Sequence, residues 1–416
     1  MHLVIMTTEL AMAGSIPGGL GTFSANLARI FKRNGHKITI LLVTTKENNI
    51  CFDDGIEVQN IYVEKAMWDK FANIAETVAA LTDDNEVAVR RALVNLYKGE
   101  LIREIINEIN QREKIDIIHA CNLGQFVLGL DGSIPYVVRI SSFLRMYTNA
   151  CLPETRKEYY EAAVTLQDKL ETYLLQKSRY IISPSNLLAE IGKEKMGINP
   201  VVIESPFILD RDNWDYSIYH NLVQEKRYII HFGQMSYFKG THIVAKIVKS
   251  ILECHPDIYL LLVGKSEEMQ DDYGRVLLAH ELVRESAGSY ADRVIYAGIL
   301  VREQLYPLID NAELCLLPSR TENFANACVE AMAMGKIVIG TEGASFEQLI
   351  DDRKSGFLCE HDMPMSYLKA VEEALSMNAD EKRQMGLEAS KQVKRLAPDV
   401  IYWKYYDFYQ KVIDEW

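Results

Sequence analysis

The strongest constraint on the fold is a repeated alternation between short apolar runs and helical stretches. Runs such as HLVIMT, KITILLV and IDIIHA are separated by segments with helical periodicity, and the alternation continues as far as KIVIGT at 336–341. Apolar runs of strand length between helices are typical of parallel strands that are covered on both faces. The sequence therefore predicts a doubly wound α/β fold.

This pattern starts twice, which indicates two domains. A strand, a loop and a helix follow Met1, and the same order begins again at Tyr228. A chain of 416 residues also exceeds what one hydrophobic core usually supports. We expect an N-terminal Rossmann-like domain at 1–206 with a helical insertion at 67–113 broken near Asp83, a linker at 207–226, a C-terminal Rossmann-like domain at 227–395, and an aromatic-rich terminal helix at 396–416 that packs back on the N-terminal domain.

The distribution of charge and hydropathy excludes several classes of protein. The net charge of −13 is spread along the chain without Lys/Arg clusters, which argues against a nucleic-acid partner. No window has the roughly 18 apolar residues of a transmembrane helix, and the first residues lack a basic leader. We therefore predict a cytoplasmic protein without a transmembrane segment. The lack of a basic amphipathic helix favours a soluble partner over a membrane lipid and leaves peripheral membrane contact open.

The seven cysteines indicate no metal site and no disulfide framework. They show no C-x-x-C pairing, and several lie in apolar runs such as AELCLLP. We expect reduced, buried thiols.

A glycine-rich loop after the first strand is a candidate anion site. Gly18, Gly19 and Gly21 precede the helix FSANLARIFKRNG, and backbone N–H groups at a helix start favour an anion. A nicotinamide dehydrogenase would need G-x-G-x-x-G and an acidic residue after the second strand, whereas here Ser24 ends the motif and Thr44 ends the strand. The pattern disfavours a dehydrogenase, and a plain structural turn stays open.

A second loop of this kind introduces Lys239. The loop from Gly233 to Gly240 follows the strand YIIHF and enters the helix THIVAKIVKSIL. A lysine at a helix start can bind a phosphate that the N–H groups of the turn also contact. A solvated surface lysine is the alternative if Lys239 acts alone.

The segment SRTENFANACVEAMAMG, residues 319–335, carries two carboxylates with different surroundings. Glu322 is predicted in the loop after the strand, with the backbone N–H groups of Asn323, Phe324, Ala325 and Asn326 at the start of the next helix. Glu330 lies inside that helix between apolar residues and is predicted to be buried and partnered. Because a carboxylate accepts two hydroxyl hydrogen bonds at once, the pair suits a sugar and a ribose.

These motifs together resemble the GT-B-fold glycosyltransferases of sequence family 4, the group of glycogen, sucrose and mannosyl-lipid synthases. The resemblance spans nearly the whole chain, from GGLGTFSANLARIFKRNGHKITIL through IDIIHACN and GQMSYFKGTH to the E-x7-E segment and GTEGASFEQLIDDRKSGFL. It implies two doubly wound Rossmann-like domains facing across a cleft. The implied reaction is sugar transfer from a nucleoside-diphosphate sugar to a hydroxyl acceptor with retention of configuration, and no cofactor or metal is required.

The resemblance also implies a role for each matched residue. Lys239 would bind the diphosphate and stabilise the leaving group, Glu322 would bind the donor sugar, and Glu330 would bind the ribose. The amides of Asn323, Phe324, Ala325 and Asn326 would face the sugar and phosphates, and Gly18 and Gly19 would close over the phosphates from the other side.

Three departures from the family pattern concern other candidate residues. Gln234 stands where family members commonly have arginine, so the diphosphate has one cation fewer. Asn323-Phe324-Ala325 replaces G-F-G, which a main-chain amide site tolerates. His119-Ala120-Cys121 replaces H-x-H, and His119 is either a catalytic contact to the donor sugar or a buried histidine with satisfied hydrogen bonds.

Two further polar groups have different interpretations. Arg139 and Ser141, at the end of the strand PYVVRI, are candidate acceptor residues. The acidic pair of Asp210 and Asp212 has the D-x-D spacing of a metal motif, but it falls in the predicted linker, and we interpret it as surface charge.

Two other classes of function stay open from the sequence. A donor-binding or scaffold subunit with weak catalysis is motivated by Gln234 and Cys121. A sugar-nucleotide epimerase could use the same fold, whereas a phosphorylase would need a cofactor lysine in a much longer chain. The base, the sugar and the acceptor are not specified by the motifs.

Overall fold

The computed structural model describes residues 1–12, 18–44, 49–62, 65–82, 84–151 and 157–416. The chain divides into two compact units. Unit 1 comprises Met1–Asn149, Glu154–Pro206 and Pro398–Trp416, and unit 2 comprises Ala150–Pro153 and Phe207–Ala397. The region predicted as a linker lies in unit 2 and carries a short helix, α8, at Ser217–Leu222.

Unit 1 is built on an eight-stranded sheet with the order β3-β4-β2-β1-β5-β6-β7-β8. All neighbouring strands are parallel except β3 and β4. Its strands are β1 His2–Thr7, β2 Lys37–Thr44, β3 Asn49–Asp53, β4 Ile56–Tyr62, β5 Ile117–Cys121, β6 Tyr136–Arg139, β7 Ile181–Ser183 and β8 Val201–Val202. Its α-helices are α1 Gly19–Arg33, α2 Lys65–Lys70, α3 Ala72–Thr82, α4 Glu86–Arg112, α5 Leu144–Cys151, α6 Lys157–Lys177, α7 Asn186–Met196 and, at the C-terminus, α15 Pro398–Glu415.

Unit 2 is built on a six-stranded, wholly parallel sheet with the order β13-β10-β9-β14-β15-β16, beside a two-stranded hairpin. The strands are β9 Arg227–Phe232, β10 Ile258–Val263, β11 Glu268–Gln270, β12 Val276–Leu278, β13 Val294–Tyr296, β14 Leu314–Leu316, β15 Val338–Thr341 and β16 Phe357–Cys359. The α-helices are α8 Ser217–Leu222, α9 Thr241–Cys254, α10 Ala279–Ser286, α11 Arg302–Asp310, α12 Asn326–Ala333, α13 Pro364–Ser376 and α14 Ala379–Val393. The predicted doubly wound α/β class is confirmed.

The helical region at 67–113 differs from the prediction in its relation to the sheet. Helix α3 ends at Thr82 and α4 begins at Glu86, while Asp83, near which the break was predicted, lies outside the described residues. Asn85 caps α4 by accepting a hydrogen bond from the Ala88 N–H. The C-terminal half of α4 buries Ile102, Ile106 and Ile109 in the same core as the strands. This half therefore serves as the crossover helix between β4 and β5, and only α2 and α3 are additional to the doubly wound pattern.

The terminal helix α15 belongs to unit 1 and buries one aromatic face there. Tyr405 and Tyr409 are both 0% exposed, and the Tyr409 ring lies 5.4 Å from the ring of Phe31 in α1. Trp403, on the opposite face, is 57% exposed. The aromatic stripe thus packs unit 1 together, because each buried ring removes a large apolar area from water.

The predictions on membrane-spanning helices and on cysteines can be compared with the described residues. In this part of the chain, no helix combines the length and hydropathy needed to cross a bilayer. The described cysteines carry free thiols; Cys121, Cys315, Cys328 and Cys359 are buried, whereas Cys254 is exposed.

Candidate donor site in unit 2

Lys239 and Glu322, which are far apart in sequence, form an ion pair. The Lys239 Nζ lies 2.6 Å from the Glu322 Oε1, and the two side chains are 26% and 11% exposed. Lys239 precedes α9, and Glu322 follows β14. Since β9 and β14 are adjacent parallel strands, the loops at their carboxyl ends meet at the same edge of the sheet.

The close approach of these two loops requires a glycine. Gly240 has a φ of +72°, and a Cβ at this position would lie 1.8 Å from the carbonyl oxygen of Pro318. A larger residue would therefore be strained and would push the Glu322 loop away from Lys239.

The ion pair lines a small pocket at this edge of the sheet. Its walls combine the two charged side chains with backbone and apolar groups from both loops and from Phe346. The lining residues are His231, Phe232, Gly233, Lys239, Leu317, Ser319, Glu322, Ala325, Ala327, Cys328 and Phe346. His231 is hydrogen bonded inside the unit, to the Leu316 carbonyl and to Thr241, and burial lowers its pKa to about 4.

The predicted amide segment lies at the start of α12. Ala325 is the N-cap residue, and no side chain caps the helix. The Asn326 N–H donates to the Phe324 carbonyl at 2.8 Å. Asn323 and Asn326 are half-buried, whereas Phe324 and Ala325 are buried. The N-terminal end of the α12 dipole, which no side chain caps, therefore lies beside the pocket.

Glu330 lies on α12 outside the lining of this pocket. It is 9% exposed, accepts a hydrogen bond from the Tyr306 hydroxyl at 3.3 Å, and lies 3.5 Å from Arg302 Nε. Burial raises the pKa of the carboxyl, and Arg302 and the Tyr306 hydroxyl oppose this effect. Both partners belong to α11, and the segment 319–335 gave no indication that α11 packs beside Glu330.

Gln234 contacts a carboxylate that sequence reasoning missed. Its side-chain amide donates to the Glu267 carboxylate, and Lys265 Nζ lies 3.4 Å from the same oxygen. Both partners follow β10, the strand on the other side of β9. The charged sequence KSEE follows β10 and could have indicated this contact. Because β9 and β10 are adjacent parallel strands, the segments after them lie at the same edge of the sheet.

Candidate residues in unit 1

Gly18 and Gly19 lie at the start of α1. Gly18 is the N-cap residue and no side chain caps the helix. The remainder of the glycine loop, at 13–17, lies outside the described residues. A Cβ on Gly18 would come within 2.6 Å of Glu9 Oε2, so the Glu9 carboxylate lies directly against the helix start. An anion bound here would have to displace this carboxylate, which sequence reasoning missed.

His119 is enclosed within unit 1. It is 2% exposed, and its Nδ1 lies 2.7 Å from the Tyr409 hydroxyl. The rings of Phe23 and Tyr405 lie 5.5 and 5.9 Å away. Burial, together with the charge of Arg139, lowers the pKa of the imidazole to about 3. The described environment is that of a buried, hydrogen-bonded histidine, the alternative to a catalytic contact.

Arg139 and Ser141 are also buried, at 4% and 9% exposure. The Arg139 guanidinium stacks 3.7 Å from the Phe23 ring centre and donates to the Ser205 hydroxyl at 3.0 Å. Burial lowers the pKa of Arg139. The Arg139 Nε and the Ser141 hydroxyl have no hydrogen-bond partner. Both side chains are packed among neighbouring groups of unit 1, and their contact to an acceptor stays a prediction.

A buried network that sequence reasoning missed holds the loop after β6. The Asn122 side chain donates to Glu171 Oε1 and to the Ser142 carbonyl, and accepts from the Ser141 N–H, each at 2.7 Å. Glu171 Oε2 accepts from the Leu144 N–H at 3.0 Å. Burial raises the pKa of the Glu171 carboxyl to about 7. No local signal marked Glu171, since it lies in a helix of mixed polarity.

The acidic pair in the predicted linker is exposed. Asp210 accepts hydrogen bonds from the Asp212 N–H and the Asn213 side chain, and Arg211 pairs with Asp310. These contacts are those of a charged surface turn, in agreement with the interpretation of the motif.

Relation to known proteins

Comparison with solved structures defines the fold class. Sucrose-phosphate synthase from Thermosynechococcus elongatus superposes with a TM-score of 0.74 at 16% identity over the full length of both chains. The Anabaena protein HepE, solved in complex with UDP and glucose, superposes with a TM-score of 0.61 at 16% identity, covering 99% of this chain and 100% of that one. The protein has the GT-B fold of glycosyltransferases.

Sequence comparison gives the family relationship. Residues 226–377, within unit 2, match the family described as Glycosyl transferases group 1. The putative glycosyltransferase YtcC of Bacillus subtilis is 25% identical over 159 residues, which are 37% of this chain and 38% of YtcC. The predicted resemblance to the family 4 glycosyltransferases is confirmed. The chain spans between 34% and 50% of the length of the first three curated relatives.

Proposed function

We propose that the protein is a retaining glycosyltransferase that moves a sugar from a nucleoside-diphosphate sugar to a hydroxyl group of an acceptor. The observation that carries the proposal is the Lys239–Glu322 pair, which lines a pocket at the carboxyl edge of a parallel sheet. Ligands of open α/β sheets bind at this edge. HepE, which shares the fold, was solved with UDP and glucose, and this supports a nucleotide-sugar donor.

Each member of the pair has the chemistry for one part of the donor. The Lys239 ammonium suits a diphosphate oxygen, and the Glu322 carboxylate suits sugar hydroxyls. Without donor, the two side chains neutralise each other at 2.6 Å. A bound donor would replace both partners, because the diphosphate is a stronger acceptor for Lys239 and the hydroxyl groups are donors for Glu322.

Leaving-group stabilisation in this proposal comes from protein groups. Negative charge grows on the diphosphate as the bond to the sugar breaks, and Lys239 and the uncapped start of α12 can stabilise it. Gln234, whose amide is held by Glu267, adds no positive charge. Metal independence, a cytoplasmic location and the ribose contact by Glu330 stay predictions. The proposal assigns no catalytic step to His119.

A donor screen with a charge-removing variant tests the proposal. Thermal shifts are measured with UDP-glucose, GDP-mannose and ADP-glucose, and nucleoside-diphosphate release is then followed with the donor that gives the largest shift. Lys239→Met should lower release by about 10²-fold or more, because one leaving-group contact is lost. Lys249→Met, at an exposed position of the following helix α9, is the matched control.

The outcomes separate an enzyme from a binding subunit. Release that depends on Lys239 but not on Lys249 supports the transferase. Binding of a donor without release, with and without a panel of sugar acceptors, would instead identify a donor-binding subunit. Equal release by wild type and Lys239→Met would remove Lys239 from the mechanism.

A further inference from the structure

Three loops of unit 2 are joined by a cluster of planar side chains beside the candidate donor site. The Tyr237 and His242 rings stack with centroids 4.2 Å apart and an interplanar angle of 25°. On the Tyr237 ring, the Arg320 guanidinium carbon lies 4.6 Å from the ring centre. Asp362 contacts both outer members of the stack: its Oδ2 lies 2.9 Å from Arg320 NH2, and its Oδ1 lies 3.4 Å from His242 Nε2.

The cluster is directly linked to the two residues of the donor pair. Arg320 is two positions before Glu322, and Tyr237 is two positions before Lys239. The Arg320 backbone N–H also donates to the Phe238 carbonyl at 2.9 Å, so the two loops are joined backbone to backbone at this point. A change in the stack would therefore shift Lys239 relative to Glu322.

The charges in the cluster make it a rigid connection. Arg320 Nε lies 3.2 and 3.0 Å from the two Asp362 oxygens, which gives a forked contact that fixes the plane of the guanidinium. The Arg320 side chain is only 11% exposed. Burial raises the pKa of the Asp362 carboxyl, but His242 and Arg320 outweigh it and hold the pKa well below its usual range. Asp362 is thus an anion that contacts Arg320 and His242, the two outer members of the stack.

We propose that Tyr237, His242, Arg320 and Asp362 form a positioning clamp that sets the spacing between Lys239 and Glu322 for a nucleotide-sugar donor. The proposal rests on the proposed function. None of the four residues needs to touch the donor, because their effect passes through the two loops. A displacement of about 1 Å in a positioned group can cost about 10²-fold in rate.

Asp362→Asn is the main test variant. Asp362 has a φ of +54°, a conformation that asparagine also tolerates, so the turn is retained while the charge is lost. Tyr237→Leu removes the ring from the stack, and Tyr237→Phe is its matched control because it keeps the ring. Glu373→Gln breaks the exposed pair with Arg353 in the same unit and controls for the loss of an ion pair elsewhere.

The measurements are nucleoside-diphosphate release and the Kd values of UDP and UDP-glucose, or of the matching pair for the base that binds. We expect Asp362→Asn and Tyr237→Leu to lower kcat about 10-fold and to reduce the preference for UDP-glucose over UDP, with the Kd of UDP changed less than about threefold. Tyr237→Phe and Glu373→Gln should behave as wild type.

A double-mutant cycle distinguishes positioning from a general structural role. In the Glu322→Gln background, Asp362→Asn should have little further effect on kcat, because the clamp acts through Glu322. Additive losses, or a fall in thermal stability that accounts for the lost activity, would overturn the clamp while leaving the proposed function intact. If wild type binds none of the donors, the proposed function fails, and the clamp fails with it.

Discussion

The two sheets place their candidate residues at comparable positions but give them different surroundings. In unit 2, Lys239 and Glu322 pair with each other and line a pocket. In unit 1, His119 and Arg139 are 2% and 4% exposed and lie against aromatic side chains of α1 and α15. A position near the carboxyl end of a parallel strand is therefore not sufficient for a binding role. What covers that end decides whether a polar group is available to a ligand.

The largest expected effect concerns α15, the helix of unit 1 that packs over His119. Tyr409→Ala should lower the free energy of unfolding of unit 1 by about 3–5 kcal/mol, since it removes a fully buried ring and the hydrogen bond to His119. Chemical denaturation followed by near-UV circular dichroism measures this loss.

Trp403→Ala provides the control on the exposed face of the same helix. Its expected change is within about 1 kcal/mol, because the Trp403 side chain is 57% exposed. Equal losses for the two variants would show that α15 does not seal His119, and the contrast between the units would be lost.

The next effect concerns catalysis and compares one residue from each unit. Glu322→Gln should lower nucleoside-diphosphate release by about 10²-fold, because a neutral amide accepts sugar hydroxyl hydrogen bonds less strongly and leaves Lys239 without its partner. His119→Gln should change release by less than about threefold and act mainly on stability, through the lost contact to Tyr409.

Steady-state kinetics and thermal melting of both variants decide between the two roles. A folded His119→Gln protein with a 10²-fold lower kcat would restore His119 as a catalytic residue. Unit 1 would then have to open during turnover.

The smallest expected effect is a pH dependence that belongs to unit 1 alone. Glu171 has a pKa raised by burial to about 7 in the folded state, against an ordinary value of 4.5. The folded state therefore binds this proton more tightly than the unfolded state, and the contribution of Glu171 to stability falls as pH rises from about 4.5 to 7.

The free energy of unfolding should depend differently on pH in wild type and in Glu171→Gln. Relative to the variant, the wild-type free energy of unfolding should fall by about 2.5 kcal/mol between pH 5 and pH 8, with any geometric cost of the amide appearing as a constant offset. Denaturation at several pH values measures it. Parallel curves for the two proteins would mean that Glu171 is ionised throughout this range.

The long apolar runs were sufficient to predict the doubly wound class, whereas short or half-exposed strands were missed. The hairpin of β3 and β4 alternates polar and apolar residues around Asp54-Gly55, both with positive φ, so its turn had a local signal. The three-residue strands β11, β12 and β16 are too short for a periodic pattern. Their pairing depends on neighbours that are distant in sequence.

The candidate site was predicted unevenly for a similar reason. Lys239 and Glu322 belong to motifs with a strand, a loop and a helix in order, and such a motif places its own residues at the sheet edge. Arg302, Glu267 and Asp362 come from other segments of the chain, and no local pattern indicates which motif residue they contact. The family match lies within unit 2, where these motifs are concentrated.

By itself, the sequence determined the alternation of strands and helices, the two-domain organisation and the motif residues that resemble those of glycosyltransferases. These features depend on periodicity and on local spacing, which the order of residues contains directly. Only the tertiary structure decided that Lys239 contacts Glu322, that Gln234 contacts Glu267, and that α15 covers His119. The reason is physical: burial and pairing are properties of groups brought together across the fold, and their energies depend on partners that no single segment contains.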